Sequence, residues 1–493
     1  MKMQDLMIQG TASSVGKSLI TAGLCRIFYQ EGFKVAPFKS QNMSLNSYAT
    51  FEGLEIGRAQ ALQAMAAKVP PSVLMNPILL KPNAENNSQV ILLGKPYGNL
   101  DAHNYYSIKK KLKDIVIETY HKLKNEFEII IIEGAGSPAE INLNKDDFVN
   151  MGMADIANAN VLLVGDIDKG GVFASIYGTI KLLENRHQER IKGLIINKFR
   201  GDKNLLKDGL IQIEELVNKP VLGVIPYFKL LLDDEDSANE FKRKYNKFKN
   251  DKINISVILL PHISNFTDFD PFYLDDDVIL NYIDVPEKIQ KSDIIILPGT
   301  KNTIEDLRWL KKNKFDIAIK NFNGMIWGIC GGFQMLGKFI IDKYGVESMK
   351  GDKEEALNLL NLETYLEKGK VTQLVTGTAL YEKIYGYEIH AGISKAEGLP
   401  FATIQLLNDD SKIWNDGLIY KDDNKTVFGT YIHGIFDSGN FRAKILNIIR
   451  DKKKLLQRPA EDLYLRREKE LDKLADILRQ NLNINFIKKI TLR

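Results

Sequence analysis

Short, unbroken apolar runs recur along the chain, each ending in a glycine-rich or polar loop. Leu6 to Gln9, Phe33 to Phe38, Phe127 to Ile132, Val161 to Gly165, Leu194 to Ile196 and Val221 to Pro226 lie in the first half. Ile255 to Leu260, Ile294 to Leu297 and Gly324 to Trp327 follow in the second. Continuous rather than alternating runs predict strands buried on both faces, as in parallel sheets covered by helices. Helical periodicity fills several of the intervals, at Leu19 to Tyr29, Ala59 to Lys68, Tyr105 to Leu123 and Val172 to Leu183. This order predicts an α/β protein whose ligand loops follow the C-terminal ends of its strands. The run of charges between Lys229 and Lys252 breaks the pattern. It divides the chain into a domain at 1–228, a charged linker at 229–252, a second domain at 253–445 and a helical tail at 446–493.

Length supports this division, because 493 residues exceed what one hydrophobic core organises. Lys and Arg total 67 against 63 Asp and Glu, with no sustained basic block, so no nucleic-acid footprint is expected. The two cysteines, Cys25 and Cys330, form no disulfide framework, which fits a reducing cytoplasm. The apolar runs are far too short to span a membrane, and a phosphate-binding motif starting at Gly10 argues against a secretory signal.

That motif is Gly10-Thr11-Ala12-Ser13-Ser14-Val15-Gly16-Lys17-Ser18, set between a strand and a helix. Its backbone N–H groups are suited to wrapping phosphate, with Lys17 on the β/γ oxygens and the Ser18 hydroxyl on Mg²⁺. The motif is one residue longer than G-x4-G-K-[ST], and in this it resembles the dethiobiotin-synthetase-like branch of P-loop proteins. Partition ATPases of the same superfamily carry a signature lysine where this chain has Ser13. Glu133, which ends the strand at Phe127 to Ile132, is the expected carboxylate on the Mg²⁺ side. Asn197, in Asn197-Lys198 after another strand, is the expected nucleotide-base contact. Three more loops follow strands and are candidates for substrate contact. They offer Lys39, Gln41, Asn42 and Ser44 in the first, Glu140 and Asn142 in the second, and Asp166 and Asp168 in the third.

In the second half, Trp327-Gly328-Ile329-Cys330-Gly331-Gly332-Phe333-Gln334 reads as a strand turning sharply into a helix, with glycines on both sides of one cysteine. This is the cysteine form of a nucleophile elbow, placing the sulfur at a helix N-terminus where a thiolate and an oxyanion are both favoured. Gly331 and Gly299, the latter in the turn Pro298-Gly299-Thr300, are candidates for the oxyanion hole. A nucleophilic cysteine needs a base supplied from elsewhere in the chain. His433, in Gly429-Thr430-Tyr431-Ile432-His433-Gly434, is the best placed of six histidines. Ordinary triad amidotransferases place a glutamate two residues after this histidine, and here that position is Ile435. The pair is therefore a dyad unless another group orients His433, and Glu388 or a residue from the phosphate-binding half is a candidate.

The order of motifs resembles the cobyric acid synthase family, the glutamine-dependent amidotransferases of cobalamin biosynthesis. The similarity runs to about residue 445. It is carried above all by Phe38-Lys39-Ser40-Gln41-Asn42-Met43-Ser44-Leu45-Asn46-Ser47 and by Glu133-Gly134-Ala135-Gly136-Ser137-Pro138-Ala139-Glu140-Ile141-Asn142-Leu143. Asp166 to Phe173, Ile196 to Asp202 and Tyr387-Glu388-Ile389-His390 add to it. The resemblance implies a P-loop synthetase domain joined to a class I-like glutamine amidotransferase domain. It further implies ATP and glutamine as co-substrates with Mg²⁺, and amidation of four carboxylates of the corrinoid adenosylcobyrinic acid a,c-diamide. No membrane or nucleic-acid partner is expected, and a homodimer is left open. The competing expectations are a non-enzymatic P-loop switch carrying an inactive amidotransferase lobe, and a ligase of the same architecture acting on another polycarboxylate.

Overall fold

The computed structural model describes residues 3–84, 87–143, 146–232 and 247–492, and the middle of the charged stretch, 233–246, lies outside them. Two compact units form, and neither is a continuous piece of chain. The first comprises Met1–Ser44, Ile56–Glu235 and Arg467–Arg493; the second comprises Leu45–Glu55 and Asp236–Arg466.

The first unit is built on a six-stranded, wholly parallel sheet. Its order is Val221–Pro226, Ile191–Phe199, Asn160–Asp166, Leu6–Gly10, Ile129–Glu133 and Val35–Phe38. Ile129 to Ile132 have no exposed surface, as their uninterrupted apolar run requires. A smaller four-stranded sheet, Gln41–Met43, Ile78–Ala84, Asn87–Leu92 and Lys95–Asp101, follows the second strand of the main sheet and its loop.

The end of the chain is part of this unit rather than an appended tail. Leu471, Leu474, Ala475, Leu478, Ile487 and Ile490 are buried in the same core as Leu6, Ile20, Leu24 and Ile131. Gly23 lets helix Lys17–Gln30 meet helix Leu463–Asn481 closely, since a Cβ there would lie 2.4 Å from Leu478 Cδ1. Arg26 fixes the crossing with ion pairs to Glu468 at 2.7 Å and Asp472 at 2.8 Å. The charged surface of these helices conceals a repeating apolar face, which is why their sequence alone suggested a tail.

The second unit has its own six-stranded sheet, in the order Val278–Ile283, Ile253–Ile258, Ile294–Leu297, Met325–Ile329, Thr426–Thr430 and Leu418–Lys421. The first five strands are parallel, and the last pairs antiparallel at the edge. A second sheet is mainly antiparallel, dominated by the long strands Leu362–Ala379 and Glu382–Ala396. Trp327, fully buried, stacks on Phe428 with ring centroids 4.5 Å apart and anchors the strand that carries the cysteine.

Candidate active site

In the first unit, strand Leu6–Gly10 delivers the phosphate loop to helix Lys17–Gln30. Gly16 sits at φ 98°, where an L side chain is strained, and a Cβ there would lie 2.2 Å from Asn197 Nδ2. The Asn197 amide itself donates to the Val15 carbonyl at 2.8 Å, bracing the loop. Lys198 Nζ likewise donates to Ser14 O at 2.6 Å and also pairs with Asp166 at 3.0 Å. Thr11 N donates to Val164 O at 2.9 Å. The Lys17 ammonium donates to Ala12 O at 2.9 Å and Gly136 O at 3.2 Å, joining the loop to the glycine-rich segment after Glu133.

Glu133 is the hub of this site. Its Oε1 accepts from Ser18 Oγ at 2.8 Å and from Lys39 Nζ at 3.0 Å, and its Oε2 accepts from Gln63 Nε2 at 2.6 Å. The side chain is only 1% exposed, so these donors stand in for the water that burial takes from it. A hydroxyl and a carboxylate make the hard oxygen donor set that suits Mg²⁺, which keeps waters and substrate phosphates as its remaining ligands. Among the described residues, no group of three or more His, Cys, Asp or Glu forms an all-protein metal cage.

The substrate-loop candidates divide. Asn42 donates to Gln60 Oε1 at 2.9 Å, Gln41 Oε1 accepts from the Tyr105 hydroxyl, and Ser44 N donates to Leu80 O at 3.0 Å. Arg200 Nε donates to Asp168 at 2.8 Å. Glu140 and Asn142 are exposed.

In the second unit, Cys330 stands between strand Met325–Ile329 and the short helix Gly331–Met335, at φ 52° and ψ −107°. This positive φ at a non-glycine residue is the strain of a nucleophile elbow. The glycines permit it: a Cβ on Gly332 would lie 1.9 Å from Leu297 O, and one on Gly331 would lie 2.7 Å from Thr300 Cγ2. Cys330 N donates to Thr430 O at 2.8 Å, binding the elbow to the strand that leads to His433. Gly299 packs against the imidazole, where a Cβ would come within 2.9 Å of His433 Cε1. The structure thus gathers Cys330, His433, Gly299 and Gly331. The other cysteine, Cys25, is fully buried in helix Lys17–Gln30, and burial pushes its thiol well up.

The group that orients His433 is Asp268. Its Oδ2 lies 2.6 Å from His433 Nδ1, and its Oδ1 accepts from Gly434 N at 3.0 Å. Burial alone would lower the basicity of this ring, but the Asp268 carboxylate and the Cys330 sulfur raise it to about 10. Glu388 has no part in this contact. Tyr387 stacks on the His433 ring with centroids 5.3 Å apart, and side chains alternate along strand Glu382–Ala396. Glu388 is therefore turned to the opposite face, where it accepts from Gln373 Nε2. Asp268 had a signal in the sequence, since it lies in the polar loop that follows a buried parallel strand.

Glu388 and His390 instead line a cavity of about 460 Å³ that also touches Ser394, Trp414, Asp416 and Tyr431. It adjoins the elbow, for Ile389 between them places its carbonyl 3.7 Å from Cys330 Sγ, and Phe333 belongs to its wall. Burial, reinforced by the Glu388 charge, pushes Asp416 up to about 7 against the donors Thr430, Tyr431 and Gly417. His390 Nδ1 contacts Gly392 O at 2.7 Å and its Nε2 lies 3.9 Å from Glu388 Oε1, while among the described residues buried His390 Nε2 and Gln334 Oε1 have no hydrogen-bond partner. Such groups are costly unless a ligand meets them.

A phosphate loop in one unit and a Cys-His-Asp elbow in the other define a nucleotide-binding glutamine amidotransferase. Residues 6–240 match the CobQ/CobB/MinD/ParA nucleotide binding domain, and residues 254–441 match the CobB/CobQ-like glutamine amidotransferase domain. The chain is 52% identical over 496 residues to a cobyric acid synthase of Clostridium botulinum strain Loch Maree, covering 99% of each chain. It is 50% identical to those of Clostridium acetobutylicum, covering 98% of each chain, and Clostridium novyi, covering 99% of this chain and 98% of that one. The chain belongs to the cobyric acid synthase family, amidotransferases of cobalamin biosynthesis that act on a corrinoid. The likeness therefore extends past residue 445 through the final helices. Among the described residues, no helix is long and apolar enough to cross a membrane.

Proposed function

We propose that this chain amidates the b, d, e and g carboxylates of adenosylcobyrinic acid a,c-diamide to give adenosylcobyric acid, using ATP and glutamine. The observation that carries the reading is the Cys330–His433–Asp268 array, which supplies nucleophile, base and orienting carboxylate in one buried site. The Cys330 sulfur attacks the glutamine carboxamide, and N–H groups at Gly299 and Gly331 stabilise the oxyanion. His433 gives a proton to the departing ammonia, then takes one from the water that cleaves the thioester to glutamate. The cavity beside the elbow holds the rest of the glutamine, with Glu388, His390 and Asp416 among the polar groups that line it.

In the first unit, Lys17 and the N–H groups of Gly10, Thr11 and Gly16 hold the ATP phosphates, with Asn197 at the nucleotide. Ser18 and Glu133 would hold Mg²⁺, which when bound neutralises charge on the transferring phosphoryl group. The acceptor carboxylate, held by the loops at Lys39, Gln41, Asn42 and Ser44, at Glu140 and Asn142, and at Asp166 and Asp168, takes the γ-phosphoryl group as an acyl phosphate. Ammonia then attacks the acyl carbon and phosphate leaves. Ammonia must travel shielded from water, which would protonate it. A cytoplasmic setting supplies both co-substrates. The deciding experiment is mass spectrometry of cobyrinic acid a,c-diamide incubated with enzyme, ATP and glutamine. Four successive amidations support the reading, and a different number or a different polycarboxylate acceptor overturns it.

A further inference from the structure

Residues Leu45–Glu55 lie early in the sequence, directly after the amide-rich stretch that starts at Lys39, yet they belong to the second unit. There they reach both supports of His433. Ser47 N donates to Asn265 Oδ1 at 3.1 Å. Asn265, at φ 50°, caps the 3-10 segment Phe266–Leu274 that bears Asp268, and its backbone carbonyl accepts from Asp268 N at 3.0 Å. The same side chain donates through Nδ2 to the Tyr387 hydroxyl at 3.3 Å. Tyr387 stacks on the imidazole at an interplanar angle of 19°, and its backbone exchanges hydrogen bonds of 3.1 Å and 2.8 Å with His433. Tyr48 packs on the Tyr387 ring, centroids 5.1 Å apart, and Ala49 is fully buried against Tyr387, Leu374 and Ile389.

The far end of the segment is fixed as firmly. Glu55, with no exposed surface, pairs with Lys370 at 2.5 Å. Gly53, at φ 71°, lies so near the Thr372 carbonyl that a Cβ would come within 2.8 Å of it. An ordinary surface turn needs none of these contacts.

We propose that Leu45–Glu55 is a positioning element of the glutaminase site, with Tyr48 holding Tyr387, and through it the His433 ring, in the orientation that serves Cys330. Ser47 adds a second support through Asn265, at the base of the segment that presents Asp268. The stretch of chain continuous with the first unit's amide-rich loop thereby sets the geometry of the second unit's base. Small displacements of a positioned base are costly in rate, while glutamine binding, made elsewhere, is left intact.

This inference rests on the glutaminase reading above, and the test separates the two. In the full-length chain, Tyr48→Ala and the volume-keeping Tyr48→Leu are each expected to lower kcat for glutamine hydrolysis about tenfold with KM held within about twofold. Tyr48→Phe, which keeps the ring, is expected to restore kcat to within about twofold of the parent, and ammonium-driven amidation stays unchanged in all three. The inference is overturned if Tyr48→Ala and Tyr48→Leu keep the parent kcat, if Tyr48→Phe is as slow as Tyr48→Ala, or if ammonium-driven amidation falls in parallel. Cys330→Ala is measured alongside. Glutamine hydrolysis surviving that change sinks the glutaminase reading itself, whereas its loss together with parental Tyr48 variants sinks only the present inference.

Discussion

Asp268 Oδ2 lies 2.6 Å from His433 Nδ1, so the histidine proposed as general base is oriented by an acid 165 residues before it in the chain. Asp268→Asn keeps the shape of the contact but removes the charge that fixes the ring's tautomer. Glutamine hydrolysis is expected to fall about a hundredfold or more, with ammonium-driven amidation retained. Steady-state assays with each nitrogen source check this, and an unchanged glutaminase rate would refute the role.

Cys330→Ala is expected to abolish glutamine-dependent amidation while synthesis from high ammonium persists, because only the nitrogen supply is lost. Product formation measured with each nitrogen donor decides the matter. Retained glutamine-dependent turnover would remove Cys330 from the mechanism.

Lys17→Ala should abolish amidation from either nitrogen source, since activation of the acceptor is common to both. Glu133→Gln should act in the same direction: it removes the charge that Ser18 and Lys39 contact at 2.8 Å and 3.0 Å. Normal ammonium-driven turnover by Lys17→Ala would contradict the assigned ATP site.

The raised basicity of His433, to about 10 against its ordinary 6.5, has a consequence for stability. A base that binds its proton more tightly when folded stabilises the protein fully below pH 6.5, and that contribution is lost as pH rises through about 10. Thermal unfolding midpoints of the parent should therefore drop across this window, and those of Asp268→Asn should drop less. Equal slopes in the two proteins would count against the charge pairing.

Leu474→Ala, in the final helices, should destabilise the first unit by roughly 2–5 kcal/mol, the usual result of emptying a fully buried leucine site. Urea unfolding followed by loss of nucleotide binding measures it. A near-neutral result would mean that this helix is dispensable to the core.

The parts of this protein legible in its sequence are those written within a few neighbouring residues. Buried parallel strands announce themselves as apolar runs, and the phosphate loop and the elbow are set by glycines beside Lys17 and Cys330. His433 could be picked out because histidines are few. What escaped depends on segments meeting across the chain. Asp268 leaves no local periodicity that links it to His433. Glu388 is near His433 in motif only, because strand alternation turns it away from the face Tyr387 presents. The strands Leu362–Ala379 and Glu382–Ala396 are half-exposed and rich in Lys, Glu and Thr, so they lack the apolar runs that marked the central sheets. The units also cut the chain differently from its composition, because Leu45–Glu55 belongs to the second unit and Arg467–Arg493 to the first.

The placement of Arg467–Arg493 in the first unit's core has a bearing on biosynthesis of the chain. During translation the strands Leu6–Gly10 and Ile129–Glu133 emerge before most of the second unit, whereas the helices that share a core with Leu24 and Ile131 emerge after it. The phosphate-binding half must therefore wait, with apolar surface uncovered, until the glutaminase half has been made. A chain stopped just after Arg466 would hold all of the second unit while leaving the first unit's core uncovered, so the final helices make completion of the phosphate-binding half the later event.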